Sequence, residues 1–232
     1  MAAVEDQVEY TDEAGWSLTF DKVAGSITGF STGASTAAEI VLPAEIEGVA
    51  VREIGSQAFR DKRPDAGGNW ERIVIPEGVT RIGNAAFWGV DADTVTLPPA
   101  LEVIEENAFR GSNVTEMEIP DSVTEIENYV WYDSRLSKIA LPAGKTKLVS
   151  ALFGHCSMDE MTLPDWLTDV GDIFRECSMT ALALPEGLTT IGYQAFEDTG
   201  ALAAIELPLP WKALGGMRSG SAAGPRLPFL RR

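Results

Sequence analysis

The chain has 232 residues, 45% of them hydrophobic, and a formal net charge of −17. That length allows one elongated domain or two small globular ones, and the composition is that of a folded protein. The acidic balance excludes a nucleic-acid phosphate surface, which needs clustered Lys and Arg, and equally disfavours an anionic membrane.

The charge is unevenly spread. From Leu209 onward stand Lys212, Arg218, Arg226, Arg231 and Arg232 and no acid, which leaves −22 on the residues up to Pro208. Two cysteines cannot make a disulfide framework, so they do not report a compartment. No apolar run reaches the roughly 18 residues that a membrane span needs. The opening MAAVEDQVEY carries acids where an export signal needs a basic region and an apolar core.

In chain order, residues 1–15 are acidic and are expected to fray. Two alternating runs follow, Trp16 to Phe20 and Ser26 to Phe30, joined by a segment ending at Gly25. They read as a hairpin. Residues 1–36 are therefore expected to be a tail and a β-hairpin cap over the open face of a first coil.

An apolar-Pro pair then recurs at Leu42-Pro43, Ile75-Pro76, Leu97-Pro98, Ile119-Pro120, Leu141-Pro142, Leu163-Pro164, Leu184-Pro185 and Leu207-Pro208. The spacings are 33, 22, 22, 22, 22, 21 and 23 residues. An aromatic residue keeps phase with it: Phe87, Phe109, Trp131, Phe153 and Phe196 lie eleven residues after their Pro, and Phe174 ten. Two markers in phase identify a repeat. The first unit is longer, and its polar stretch Arg60 to Asn69 reads as a protruding loop.

The stretch Glu71 to Phe87 shows why such a unit folds as a coil. Ile73 and Ile75 alternate inward, and Pro76 ends the ladder because it lacks an N–H donor. Val79 and Ile82 supply a second inward pair, Gly83 is expected to permit a turn, and Ala86-Phe87 plug the coil. One coil cannot bury its apolar side alone, so coils stack. The expected architecture is a mainly β repeat solenoid over residues 37–208, of seven to eight coils. Its parallel strands lie about 4.8 Å apart in a body roughly 35–40 Å long. Residues 209–232 read as a disordered basic tail.

Ile73, Ile75, Pro76, Val79, Ile82, Gly83, Ala86 and Phe87, and again Leu184, Pro185, Leu188, Ile191, Gly192, Ala195 and Phe196, resemble the leucine-rich repeat of the BspA or Treponema type. So do the SITGF stretch and the insertion from Ile46 to Val51. Departures include Glu105 and Glu127 at the Gly position, and the unit KTKLVSALF, which lacks the Ile-Gly pair. The resemblance implies a right-handed superhelix with short turns or 3-10 pieces between strands. It also implies a non-enzymatic protein-binding module, adhesin-like or a scaffold, often on or outside cells.

The outward strand positions are where such a solenoid would bind. Four before each Pro stand Glu39, Arg72, Thr94, Glu116, Lys138 and Glu160; two before stand Thr96, Glu118, Thr162 and Glu206. These ten are the expected partner-binding residues of a concave face, and the acids at its centre suit a protein partner with basic character, or a glycan. A monomer with no cofactor and no metal is expected. Trp131 holds the Phe column, whereas Tyr132 and Trp166 fall just off it as further anchors.

Cys156 and Cys177 follow the aromatic marker by three residues and belong on adjacent coils, within disulfide range. Buried thiols, a redox clip and a metal pair all remain open. A thiol enzyme using Cys156 with His155 is the alternative from another class, but neighbours on an extended chain point apart. An intracellular scaffold docking through its basic tail is a third reading.

Overall fold

The computed structural model describes residues 6–206 except 66, 145–147, 149, 159–160, 162, 180, 193 and 200–203. At its start, β1 (Gln7–Thr11), β2 (Ser17–Asp21) and β3 (Ser26–Ser31) form an antiparallel meander. The expected frayed end is therefore wrong for Gln7–Thr11. Val8 and Tyr10 pack on the core, and Tyr10 lies 5.9 Å from the Trp16 ring. Their alternation with polar neighbours is a strand signal that the local acidity masked.

The first repeat contains β4 (Glu39–Val41), β5 (Glu45–Ile46), β6 (Val49–Ala50) and β7 (Glu53–Ile54). The insertion between Ile46 and Val51 is a small hairpin, β5 against β6, whose two loop residues Glu47 and Gly48 have φ of 49° and 80°. Positive φ at both positions is the backbone that a two-residue hairpin turn requires. The polar stretch after Phe59 is exposed at residues 61, 63, 65 and 67–69.

Regular units follow: β8 (Trp70–Val74) and β9 (Arg81–Ile82), β10 (Ala92–Thr96) and β11 (Val103–Ile104), β12 (Glu116–Glu118) and β13 (Glu125–Ile126), then β14 (Lys138–Ala140). Beyond these lie β15 (Ser157–Met158), β16 (Asp169–Val170), β17 (Ser178–Met179), β18 (Ala181–Ala183), β19 (Thr190–Ile191) and β20 (Ala204–Glu206). They pair in parallel as β15–β17, β16–β19 and β18–β20.

Two longer sheets organise the body. Strands before the prolines make a parallel five-stranded sheet in the order β14-β12-β10-β8-β4. Strands after them extend the meander into a seven-stranded sheet, β1-β2-β3-β7-β9-β11-β13. Ile40, Ile73, Val95, Met117 and Ile139 turn inward from the first, and Ile54, Ile82, Ile104 and Ile126 from the second; all are buried.

A third ladder runs through the aromatic turns. Ala86 N–H donates to Gly83 O and Trp88 N–H to Ala85 O, within the coil, while Ala85, Phe87 and Gly89 donate to Glu106, Ala108 and Arg110 of the next. The alternation recurs around Phe59 and Phe109. It needs left-handed residues, and Gln57, Ala85, Asn107, Tyr129 and Ala151 supply one of them per unit with φ of 51–61°. Of the expected short turns or 3-10 pieces, the described residues form successive turns, with the exception of Asp6, and the left-handed residues interrupt any 3-10 continuity. The rings of Phe59, Phe87, Phe109, Trp131, Phe153, Phe174 and Phe196 stack along this ladder, with centroids 5.0–6.5 Å apart. Phe30 of β3 closes the stack on Phe59 at 4.7 Å.

Gly83 has another role than the one expected. Its φ is not positive; instead, a Cβ there would meet Ser56 N at 2.8 Å and Gly55 C at 3.0 Å. Close approach of two backbones, not a left-handed turn, calls for glycine. Glu105 and Glu127 occupy the equivalent position with a compensating bond: their carboxylates accept the Asn84 and Glu106 amides of the preceding coil at 2.9 and 3.0 Å.

Phe109 is fully buried between Phe87 and Trp131. Phe109→Ala leaves a cavity in mid-stack and should cost about 3–5 kcal/mol. Urea unfolding of wild type and variant checks this, and an unchanged midpoint would remove Phe109 from the core.

Candidate binding face

The five-stranded sheet turns its outer residues to solvent in strict register. Glu39 is paired with Arg72, Arg72 with Thr94, Thr94 with Glu116, and Glu116 with Lys138. A second row, Val41, Val74, Thr96, Glu118 and Ala140, runs beside it, since Val74 pairs with both Val41 and Thr96, and Ala140 with Glu118. The period of two in each strand forces this, because Ile73, Val95, Met117 and Ile139 between them are committed to the core. The structure thus brings Glu39, Arg72, Thr94, Thr96, Glu116, Glu118 and Lys138 onto one surface. Glu160 and Thr162 lie outside the described residues. The backbone of Glu206 pairs with Ala183 in β20–β18, a pair separate from the five-stranded sheet among the described residues.

The charges on this face are not equivalent. The Arg72 guanidinium donates to Glu39 Oε1 from Nε at 2.9 Å and from Nη2 at 2.6 Å, so that pair is internally satisfied. Thr94 donates its hydroxyl to Glu71 O at 3.1 Å. Glu116 and Glu118 have no ion pair among the described residues. Around them the face sinks into an open depression of about 600 Å³. Thr96, Leu97, Pro99, Pro120 and Ala140 line it together with the two acids, and the buried Val95, Met117 and Ile139 lie beneath. Sequence reasoning placed the rows but missed the depression and its prolines. The signal available was the Pro98-Pro99 doublet and the short Thr96 and Ala140 side chains beside Glu118.

The opposite chemistry holds beside the aromatic stack. The residues that follow the aromatic marker form a strip in which Arg60 and Arg110 lie over the Trp88 ring at 4.6 and 4.8 Å, and Arg110 lies over Tyr132 at 4.8 Å. The Tyr132 hydroxyl donates to Glu176 Oε2 at 3.2 Å, and burial and the Glu176 charge push its pKa up. Gly154 makes room for that ring: a Cβ there would stand 2.5 Å from it. Trp166 donates its indole N–H to Pro142 O at 2.9 Å. Tyr132 and Trp166 are half-buried and engaged, whereas Trp131 is fully buried in the stack.

Cys156 and Cys177 are free and buried. The Cys156 thiol donates to Trp131 O at 2.9 Å and lies 3.4 Å from Ser134 Oγ; Cys177 donates to Cys156 O at 3.4 Å. His155, whose φ is 59°, points its Nε2 to Glu176 Oε2 at 2.7 Å. The imidazole is thus engaged by a carboxylate and the sulfur by a carbonyl. Burial pushes the Cys156 thiol up from 9.0 to about 11. Burial first and the neighbouring Cys156 second push Cys177 up to about 12. Nucleophilic cysteines have lowered values and access to solvent, the reverse of this pair. Among the described residues, no group of three His, Cys, Asp or Glu is arranged to hold a metal ion, and no helix is long and apolar enough to cross a membrane.

The raised thiol values carry a sign. The folded state holds both protonated where the unfolded chain ionises, so their contribution is intact below pH 9.0 and is lost as the pH climbs towards 11 and 12. The urea midpoint should fall more steeply above pH 9.0 for the wild type than for a Cys156→Ala, Cys177→Ala double variant, and parallel curves would contradict the burial of the thiols.

Comparison with known proteins places these features. Residues 52–173 and 146–216 match the BspA type leucine rich repeat region, in six copies. The sequence matches no curated protein. Among solved structures, the pneumococcal vaccine antigen PcpA is similar at a TM-score of 0.59 and 21% identity, over 87% of this chain and 70% of that one. A leucine-rich repeat protein from Bacteroides ovatus is similar at 0.50 and 18%, over 88% of this chain and 64% of its own.

Proposed function

The chain belongs to the BspA-type leucine-rich repeat family, and from that premise we propose that it is a non-enzymatic binding module, adhesin-like or a scaffold, that recognises a protein partner through the open face of its five-stranded sheet. The observation that carries this reading is the depression around Glu116 and Glu118, set in two registered rows of outward side chains. The inward residues of the repeat are committed to stacking, so recognition falls to outward positions that packing leaves free.

In this reading the body is a right-handed superhelix of seven to eight coils over residues 37–208, supported by eight in-phase apolar-Pro pairs. Residues 1–36 cap its first coil. The face extends through Glu160, Thr162 and Glu206, which hold the same repeat phase as Glu116 and Glu118. A position on or outside a cell is part of the same proposal, and the pneumococcal protein of like fold is a vaccine antigen. The buried, high-pKa thiols weigh against the thiol enzyme.

Affinity capture with the full chain, read by mass spectrometry, supplies the partner, and a filled depression then tests the face. Thr96→Trp with Ala140→Trp adds bulk at two exposed positions without touching the core. The double variant should keep its urea midpoint and lose partner affinity by about tenfold or more, as expected when a central contact is blocked. An unchanged dissociation constant would move recognition elsewhere.

A further inference from the structure

We infer that the occupant of this depression is an arginine side chain of the partner, held with its guanidinium across Glu116 and Glu118 and its aliphatic stem over Ala140 and Pro120. The inference rests on the binding reading above and gives its partner a chemistry.

Charge is the first ground. Arg72 is neutralised by Glu39 through two hydrogen bonds, so it neither attracts nor repels strongly. Lys138 stands beside Glu116 in register, and Ala140 stands beside Glu118. The centre of the face therefore holds two carboxylates and one cation. Neither carboxylate is paired among the described residues. With Glu39 counted against Arg72, one negative charge is left in excess, and Glu118 is the carboxylate whose flanks, Thr96 and Ala140, carry no charge.

Geometry is the second. Glu116 and Glu118 are separated by one inward residue, Met117, so their side chains leave the same face about 7 Å apart. A single ammonium is a compact point charge that satisfies one such carboxylate well. A guanidinium presents five donors on two edges of a plane, and it can face one carboxylate with each edge. The pair is thus matched to arginine over lysine.

Apolar surface is the third. Of the residues lining the depression, Pro99 and Ala140 are exposed and Leu97 and Pro120 half-buried, so apolar surface lies open beside the two acids. A cation with a short stem leaves that surface wet. An arginine covers it with methylenes while its head stays at the acidic rim.

The test is selection of a random linear-peptide display library on the immobilised full chain, with counter-selection on the Thr96→Trp, Ala140→Trp variant. Peptides that depend on an open face should share an arginine. The synthetic winner should then bind Glu118→Gln and Glu116→Gln about tenfold more weakly than wild type, the scale of a lost charge-assisted hydrogen bond. Its Arg→Lys form should weaken similarly. Face-dependent winners without arginine, or winners indifferent to lysine or to either Glu→Gln change, overturn the arginine assignment and leave the binding face standing. A library in which no winner distinguishes wild type from the filled variant overturns both.

Discussion

The structure depends on the coupling of each aromatic turn to the next. One aromatic residue per coil (Trp131 takes the place of Phe) lies flat on its neighbour, and the interplanar angles from Phe59 through Phe196 stay between 3° and 21°. The turn that carries the ring sends alternate N–H groups inward to its own coil and across to the following one. Stacking and hydrogen bonding therefore select the same coil spacing. A unit that broke phase would lose both at once, which is why an aromatic marker and an apolar-Pro marker persist together in the sequence.

That coupling constrains residues that look chemically interesting in isolation. The position two after each aromatic is left-handed: Asp61, Gly89, Gly111, Asp133, His155, Glu176 and Asp198 all have φ of 55–63°. For an L-residue this conformation costs roughly 1–2 kcal/mol, and here the cross-coil bonds made by the same turns offset it. His155 is an occupant of this column, and its N–H donates to Glu176 O like its equivalents in other coils. The cysteines are likewise occupants of a column, three after the aromatic, that holds Val90, Ser112 and Ser134 in earlier coils, all buried. Position in the repeat, more than residue type, explains both.

Much of this was legible before any coordinates. The period placed Ile73, Val95, Met117 and Ile139 inward and aligned Arg72, Thr94, Glu116 and Lys138 in one row, since a parallel ladder at constant phase leaves no freedom of register. What escaped belongs to terms that a repeat pattern does not encode. β1 lies before the first repeat and is held by Val8 and Tyr10 against the core. Gly83 reports the distance between two backbones, which is a property of two coils together. Glu105 and Glu127 read as departures from the repeat, yet their carboxylates replace an inter-coil contact with a hydrogen bond. The depression is a difference in side-chain length among Thr96, Glu118 and Ala140, visible only once three coils stand side by side.

Satisfaction separates the strip beside the stack from the open sheet. On the strip beside the stack, Trp88 lies under Arg60 and Arg110, Tyr132 is tied to Glu176, and His155 and Arg175 close on the same carboxylate or its neighbour Glu197. A ligand there would have to displace contacts that already join successive coils, and would repay that loss before gaining affinity. On the open sheet, Glu39 and Arg72 satisfy each other at one end, while Glu116 and Glu118 remain solvated beside Leu97, Pro99 and Pro120. Solvated carboxylates in a depression keep their interaction free energy available to an incoming cation, at the cost only of their own desolvation. The strip binds the protein to itself, and the open face is where an unspent interaction is left for another molecule.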